Sequence, residues 1–163
     1  MARRRYRRSL KGRSNYSHEN KGCLATFGET AVNGLYQAGS IIVPPSTTQG
    51  IRTVGNWSIT IPVTISATNA SNELYWALVY VPQGQSANNL FATTGSIEGS
   101  LYEPNQYVLA SGISDGSAGP IRIRSRMSRK LHSGDFISLI VGGTGYSSSS
   151  PLRALVSYSI KYN

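Results

Sequence analysis

The side chains best suited to chemistry in this sequence are the arginines of its first thirteen residues, MARRRYRRSLKGR, which include seven basic residues and no acid. A guanidinium pairs with phosphate through two parallel hydrogen bonds, and each neutralised phosphate releases condensed counterions. A tyrosine inside the run can stack on an unpaired base. The predicted chemistry is therefore the binding of a phosphate polymer. We assign to it Arg3, Arg4, Arg5, Tyr6, Arg7, Arg8, Lys11 and Arg13.

Most of the net charge is confined to the start of the chain. Residues 1–21 carry eight basic residues and one acid, a net charge of +7, whereas residues 22–163 carry eight basic residues and six acids, a net charge of +2. A block of like charges repels itself and cannot bury enough apolar surface to fold. We therefore expect residues 1–21 to form a disordered nucleic-acid-binding arm and residues 22–163 to form one folded domain.

The basic run is compatible with two further roles. Nuclear localisation signals use the same residue types, so nuclear import machinery is a second expected partner. Acidic lipids also attract such runs. However, no apolar face accompanies the charges, and the sequence contains no apolar run of about 18 residues. We predict neither a membrane partner nor a signal peptide.

A second candidate phosphate-binding site lies in the phrase GPIRIRSR. The period of two in a β-strand places Ile121 and Ile123 in the core and the alternating arginines on the opposite side. Three interpretations remain open: a patch that contacts phosphates, a contact with acids of a neighbouring subunit such as Glu98 or Glu103, and an ordinary solvated surface. The basic residues of this patch are Arg122, Arg124, Arg126, Arg129 and Lys130.

Motifs for catalysis or metal binding are missing from the sequence. His18 and His132 are far apart and do not have the His-x-His or His-Glu-x-x-His spacing. The glycines that follow Gly142 lack the lysine of a phosphate-binding loop. Cys23 is the single cysteine, so it forms no intramolecular disulfide, and it has no evident histidine partner. We predict no enzyme, no cofactor and no metal site.

The candidate residues need a β domain to position them. Short apolar runs with period two recur between clusters of Gly, Pro, Asp and Ser, and no window outside the arm has a helical period. We predict seven strands and a weaker eighth around Cys23, in an all-β sandwich or barrel. LYWALVYVP is apolar on both sides, which predicts a strand between two layers. The seven runs are LYQAGSIIVPP, VGNWSITIPVTIS, LYWALVYVP, NQYVLASGIS, GPIRIRSR, GDFISLIVGG and PLRALVSYSIKY.

Four phrases follow one another between about residues 36 and 142: VPPSTTQGIRTV, ELYWALVYVPQG, LYEPNQYVLASGI and AGPIRIRSRMSRKLHSGDFISLIVGG. Together with the basic start they resemble the capsid proteins of small circular single-stranded DNA viruses, the circovirus-like group. The resemblance implies a single eight-stranded jelly roll, an antiparallel β-sandwich, that assembles with its own copies, sixty in the simplest icosahedral shell. It also implies a packaged single-stranded DNA genome as partner, and a location in the virion and, during infection, in the host nucleus and cytoplasm.

Other classes of protein share parts of these features. The coat protein of a small RNA virus or satellite needs the same arm, because phosphate contacts do not distinguish RNA from DNA. A cellular nucleic-acid-binding β domain would have the arm but remain a monomer or a small oligomer. A lectin-like domain would have the β fold and would bind glycans without the arm. Neither of the last two predicts a closed shell.

Overall fold

The computed structural model describes residues 16–26, 28–29, 35–48, 50–62, 73–85, 87, 107–115, 119–144 and 151–162. Within them every regular element is a β-strand, which confirms the predicted all-β class. The strands are β1 (Ser17–Thr26), β2 (Gly28–Glu29), β3 (Leu35–Val43), β4 (Arg52–Ile61), β5 (Glu73–Val81), β6 (Tyr107–Asp115), β7 (Ile121–Ser125), β8 (Arg129–Leu131), β9 (Phe136–Thr144) and β10 (Pro151–Tyr162).

These strands form two antiparallel sheets. In the first sheet the order is β1-β10-β4-β7, and β8 also pairs with β4. In the second sheet the order is β2-β3-β9-β5-β6. The chain passes repeatedly from one sheet to the other, so neighbouring strands of a sheet come from distant parts of the sequence. The surface of each sheet is therefore assembled from segments that are far apart along the chain.

The main core lies between the two sheets. On β4 the side chains of Val54, Trp57 and Ile59 are buried, and the Trp57 ring centre is 5.3 Å from that of Tyr158 on β10. The indole N–H of Trp57 donates to the carbonyl of Met127 at 3.0 Å, which satisfies its polar atom. A fully buried aliphatic side chain contributes roughly 1.5–3 kcal/mol relative to an exposed one. This core holds the sheets face to face.

The second sheet is covered on its other side as well. On β5, Leu78 belongs to the main core, whereas Val79 packs with Ile140 of β9 in a separate buried cluster. Ala87, beyond the end of β5, packs against this second cluster. The prediction that both sides of LYWALVYVP are buried is therefore confirmed.

Three details differ from the sequence predictions. The predicted arm ends at Lys21, whereas β1 already begins at Ser17, so residues 17–21 pair with β10. The strand predicted in VGNWSITIPVTIS begins earlier, at Arg52, and ends at Ile61, before Pro62, which has no N–H to donate to a sheet; residues 63–66 of that run lie outside the described residues. Two short strands, β2 and β8, are added to the eight that the sequence predicts.

Candidate nucleic-acid interface

Charged residues are divided unequally between the two sheets. The strands of the first sheet contain eight basic residues and one acid, a net charge of +7. The strands of the second sheet contain no basic residue and three acids, Glu29, Glu73 and Asp115, a net charge of −3. The small net charge of the whole domain does not reveal this separation, because the acids of the second sheet and those outside the strands together offset most of the positive charge of the first sheet.

Two of the predicted arginines lie on the side of the first sheet that faces away from the core, which we call the open face. The isoleucines of β7 are buried and Arg122 and Arg124 are exposed, as the alternation predicts. In register, Arg122 lies opposite Thr60 and Arg124 lies opposite Ser58 of β4. Among the residues that the structure describes, neither arginine forms an ion pair with a carboxylate. Both are exposed guanidinium groups, the type of side chain that pairs with phosphate.

Arg126 does not lie on β7 in line with Arg122 and Arg124, contrary to the prediction. The strand ends at Ser125, and residues 126–128 interrupt the pairing before β8 resumes it along the same edge of β4. The interruption lies against Gly55, where an added Cβ would be 2.9 Å from the Cβ of Ser128. A larger residue at this position would displace the turn. Arg126 is exposed at this turn and not in the regular row.

The last two residues of the predicted patch lie on opposite sides of β8. Arg129 is opposite the buried Val54, and its guanidinium carbon is 4.5 Å from the centre of the Tyr80 ring on β5. This cation–π contact connects the two sheets and makes Arg129 a structural residue. Lys130 is exposed and lies opposite Thr53. Only Lys130 therefore joins the arginines of β7 on the open face.

Two basic residues of β10, to which the sequence prediction gave no role, extend the open face. Lys161 of β10 pairs with Thr53 across one edge of β4, and Lys130 of β8 pairs with the same residue across the other edge. Strands are about 4.8 Å apart, so the Cα atoms of the two lysines are roughly 10 Å apart. Arg153 is exposed and alternates with the buried Ala154. The alternation in PLRALVSYSIKY indicates their side of the strand, but only the sheet order shows which residues are their neighbours.

Between these cations the open face consists mainly of small polar side chains. Ser157 donates to the Oδ1 atom of Asn20 at 2.6 Å, and Asn56 donates to the hydroxyl oxygen of Ser159 at 3.3 Å. Hydroxyl and amide groups of this kind also bind phosphate and sugar oxygens. The face therefore combines cations with neutral hydrogen-bonding groups.

The one acid in the strands of the first sheet lies on the core-facing side of its edge strand. Glu19 is opposite Tyr158, a buried residue of β10. Burial raises the pKa of the Tyr158 hydroxyl, and the negative charge of Glu19 raises it further. The strands of the first sheet thus place no carboxylate on the open face.

Asp135, the acid closest to the patch in sequence, is buried and has hydrogen-bond partners inside the fold. It is 4% exposed, and its carboxylate accepts hydrogen bonds from the Tyr80 hydroxyl at 2.8 Å, the His132 N–H at 2.8 Å and the Gln83 N–H at 3.0 Å. Burial alone would raise the pKa of Asp135, but these hydrogen bonds and the nearby His132 imidazole together lower it below its ordinary value. The carboxylate therefore stabilises the fold as an anion.

A buried arginine extends this network to the first sheet. Arg52, at the start of β4, donates to the carbonyl of Pro44 at 3.0 Å and to the carbonyl of Asp135 at 3.2 Å. The N–H of Gly134 donates to the carbonyl of Ser46 at 3.0 Å. These bonds fix the turn after β8 to the connection between β3 and β4. The network thereby holds the short strand that carries Lys130.

The arm assignments lie outside the described residues, as do Glu98 and Glu103, the acids considered as partners of the patch. The described chain starts at residue 16 and enters β1, so the residues before it join the cationic sheet at its edge strand. In the part of the chain given above, no three His, Cys, Asp or Glu side chains are grouped to hold a metal, and no helix is suited to spanning a membrane.

No protein-family model matches the sequence, and no curated protein is significantly similar to it.

Proposed function

We propose that this chain is a viral coat protein that assembles with copies of itself into a closed shell and binds a packaged single-stranded DNA genome. The observation that carries the proposal is the position of the cations. The strands of the second sheet contain no basic residue, whereas five of the eight basic residues in the strands of the first sheet lie on its open face: Arg122, Arg124, Lys130, Arg153 and Lys161. A shell subunit must present one side to a polyanion and keep the rest of its surface for other contacts. The open face and the arm, which enters the same sheet, supply that side.

The proposal includes the jelly-roll form of the sandwich. In that fold two Greek keys divide eight strands between two sheets, and the fourth strand of each key returns beside the first. The orders β1-β10-β4-β7 and β3-β9-β5-β6 support this arrangement, because both sheets pair strands from opposite ends of the sequence, β1 with β10 and β3 with β9. In this interpretation β2 and β8 are short additions to the eight strands.

The arm supplies charge and no sequence recognition. Its seven basic residues, repeated in sixty subunits, would place about 420 positive charges near the genome. Contacts of this kind neutralise phosphates whatever the base sequence, so selective packaging requires another signal. The choice of DNA over RNA rests on the family resemblance alone, since both polymers carry the same backbone charge.

Electron microscopy and analytical ultracentrifugation of the purified full-length protein test the proposal. We expect uniform closed particles whose ratio of absorbance at 260 and 280 nm indicates nucleic acid, and whose contents are degraded by DNase after disruption. Contents degraded by RNase alone would move the assignment to an RNA virus. A monomer that stays small in the presence of single-stranded DNA would overturn the shell.

Deleting residues 1–15 tests the arm while leaving β1, which begins at Ser17, intact. Each phosphate contact to a single strand contributes about 0.7 to the slope of log K against log salt. The loss of seven basic residues should therefore reduce that slope by about 5. A variant of full length in which these seven residues are glutamine is the matched control for chain length. Nucleic-acid content that is unchanged in both variants would exclude the arm as the genome-binding element.

A further inference from the structure

We propose that the end of the open face nearest the arm is a second binding site for single-stranded nucleic acid, formed by Tyr16, Lys161 and Lys130. We call these three residues the lysine row. The site deepens the proposed function, because its ligand is the genome that the shell encloses. It differs from the arm in being built on paired strands, so its cations have fixed positions.

The sheet register places the three residues in one line across the strands. Lys161 and Lys130 are the two neighbours of Thr53 on either side. Ser17 is opposite Ile160, so the same register continued by one residue places Tyr16 beside Lys161. The line crosses three inter-strand steps and is roughly 15 Å long. This length is sufficient for contacts to more than one nucleotide.

The side chains of the row have complementary chemistry for an unpaired strand. A lysine ammonium is a compact charge with three hydrogen-bond donors, suited to a phosphate oxygen. Neither Lys130 nor Lys161 is in an ion pair with any other described residue. Tyr16 is 45% exposed, which leaves its ring accessible for stacking on a base. Stacking requires a base that is not already stacked in a duplex, which is why we specify a single strand.

Because the lysine row lies beside the arm, nucleic acid that the arm has bound should occupy the row more often. The last basic residue of the arm, Arg13, precedes Tyr16 by three residues, and a fully extended chain of that length spans about 10 Å. A strand held by the arm is therefore within reach of the row, and its second contact is effectively intramolecular. The arm captures the polymer at long range, and the row holds it against the sheet.

Binding of a fluorescein-labelled oligothymidylate of twenty nucleotides to full-length variants tests the site. Lys161→Ala should reduce the salt slope by about 0.7, and Lys130→Ala with Lys161→Ala by about 1.4. Lys21→Ala is the matched control: Lys21 is exposed and carries the same charge, but it belongs to β1 and not to the arm, and it lies opposite the buried Val156 on the core-facing side. It should leave the slope nearly unchanged.

Replacing the tyrosine should change the salt dependence of binding differently from replacing a lysine. Tyr16→Leu should weaken binding about five-fold or more at every salt concentration without changing the slope, because stacking is not a charge contact. Tyr162→Leu is the matched control at another exposed tyrosine of the same end of the sheet, and we expect a smaller loss. Circular dichroism and the denaturation midpoint verify that each variant is folded.

Equal slopes for Lys161→Ala and Lys21→Ala would overturn the site, even if the wild-type protein forms shells that contain DNA. Conversely, unequal slopes in a protein that never forms shells would support the site and contradict the proposed coat function. The two proposals therefore fail in distinguishable ways.

Discussion

The two sheets of this protein differ on the sides that face away from the core: the first sheet presents a polar, cationic surface there, and the second sheet presents a buried, apolar one. The open face of the first sheet holds cations among serine, threonine and asparagine side chains. The corresponding side of the second sheet is apolar and covered around Ile140, and its acids lie at strand ends, Glu29, Glu73 and Asp115. One sheet is thus buried on both sides, whereas the other keeps an exposed cationic side.

The largest effect should come from the carboxylate that holds the two sheets in place. Asp135→Ala leaves the Tyr80 hydroxyl and two backbone N–H groups without their acceptor, which should cost at least about 3 kcal/mol of unfolding free energy. Urea denaturation measures this loss. Asp135→Asn keeps the shape and part of the bonding, so its loss should be smaller. A loss under about 1 kcal/mol in the alanine variant would contradict the structural role of the network.

A matched pair of substitutions compares the outward sides of the two sheets directly. Ile140 is 0% exposed on the covered side of the second sheet, and Leu155 is 58% exposed on the open face of the first. Ile140→Ala should destabilise the fold by about 2–5 kcal/mol through loss of buried contacts. Leu155→Ala should change stability by no more than about 0.5 kcal/mol. Equal effects would mean that the outward sides of the two sheets are not differently covered.

The acid sensitivity of the fold should depend on the same network. The pKa of Asp135 is lower in the folded chain than the ordinary value of 3.8, so its anion stabilises the fold above that value. The stabilisation is lost as pH falls through the lower, folded-state pKa. Denaturation midpoints between pH 5 and pH 2.5 should therefore fall less steeply in Asp135→Asn than in the wild type. Parallel curves would show that other carboxyl groups control acid unfolding.

The smallest effect on stability is expected on the open face. Replacing Arg122 and Arg124 with alanine should change the unfolding free energy by no more than about 0.5 kcal/mol each, because both are exposed and neither has an ion-pair partner among the described residues. The same double variant should reduce the salt slope of DNA binding by about 1.4. Unchanged binding would make this part of the face an ordinary solvated surface.

Local sequence patterns predicted much of the fold. Near-strict alternation identified β4, alternation identified β7 with the burial of Ile121 and Ile123, and the doubly apolar run identified β5. These patterns can be recognised in the sequence because a strand buried on one side needs an apolar residue at every second position. A strand buried on both sides needs apolar residues at nearly every position. The start of β1 was missed because SHENKG is polar and exposed at the sheet edge, where no core selects an apolar residue.

The candidate site could be predicted only in part, because it depends on contacts between distant segments. Lys161 and Lys130 became neighbours of Thr53 through pairings that no local pattern encodes. Arg129, predicted to contact phosphate, instead lies over Tyr80. Asp135 has the sequence context of an ordinary turn residue, and only the fold reveals its three hydrogen-bond donors.

The most direct measurement of the central claim is a cryo-electron microscopy map of the assembled particles, at a resolution that separates the two sheets. We predict a closed shell in which the open face of the first sheet points inward and nucleic-acid density lies against Lys161 and Lys130, while the second sheet has no such density. A shell with the open face turned outward, or nucleic acid held against the second sheet, would contradict the assignment of the cationic sheet to the genome.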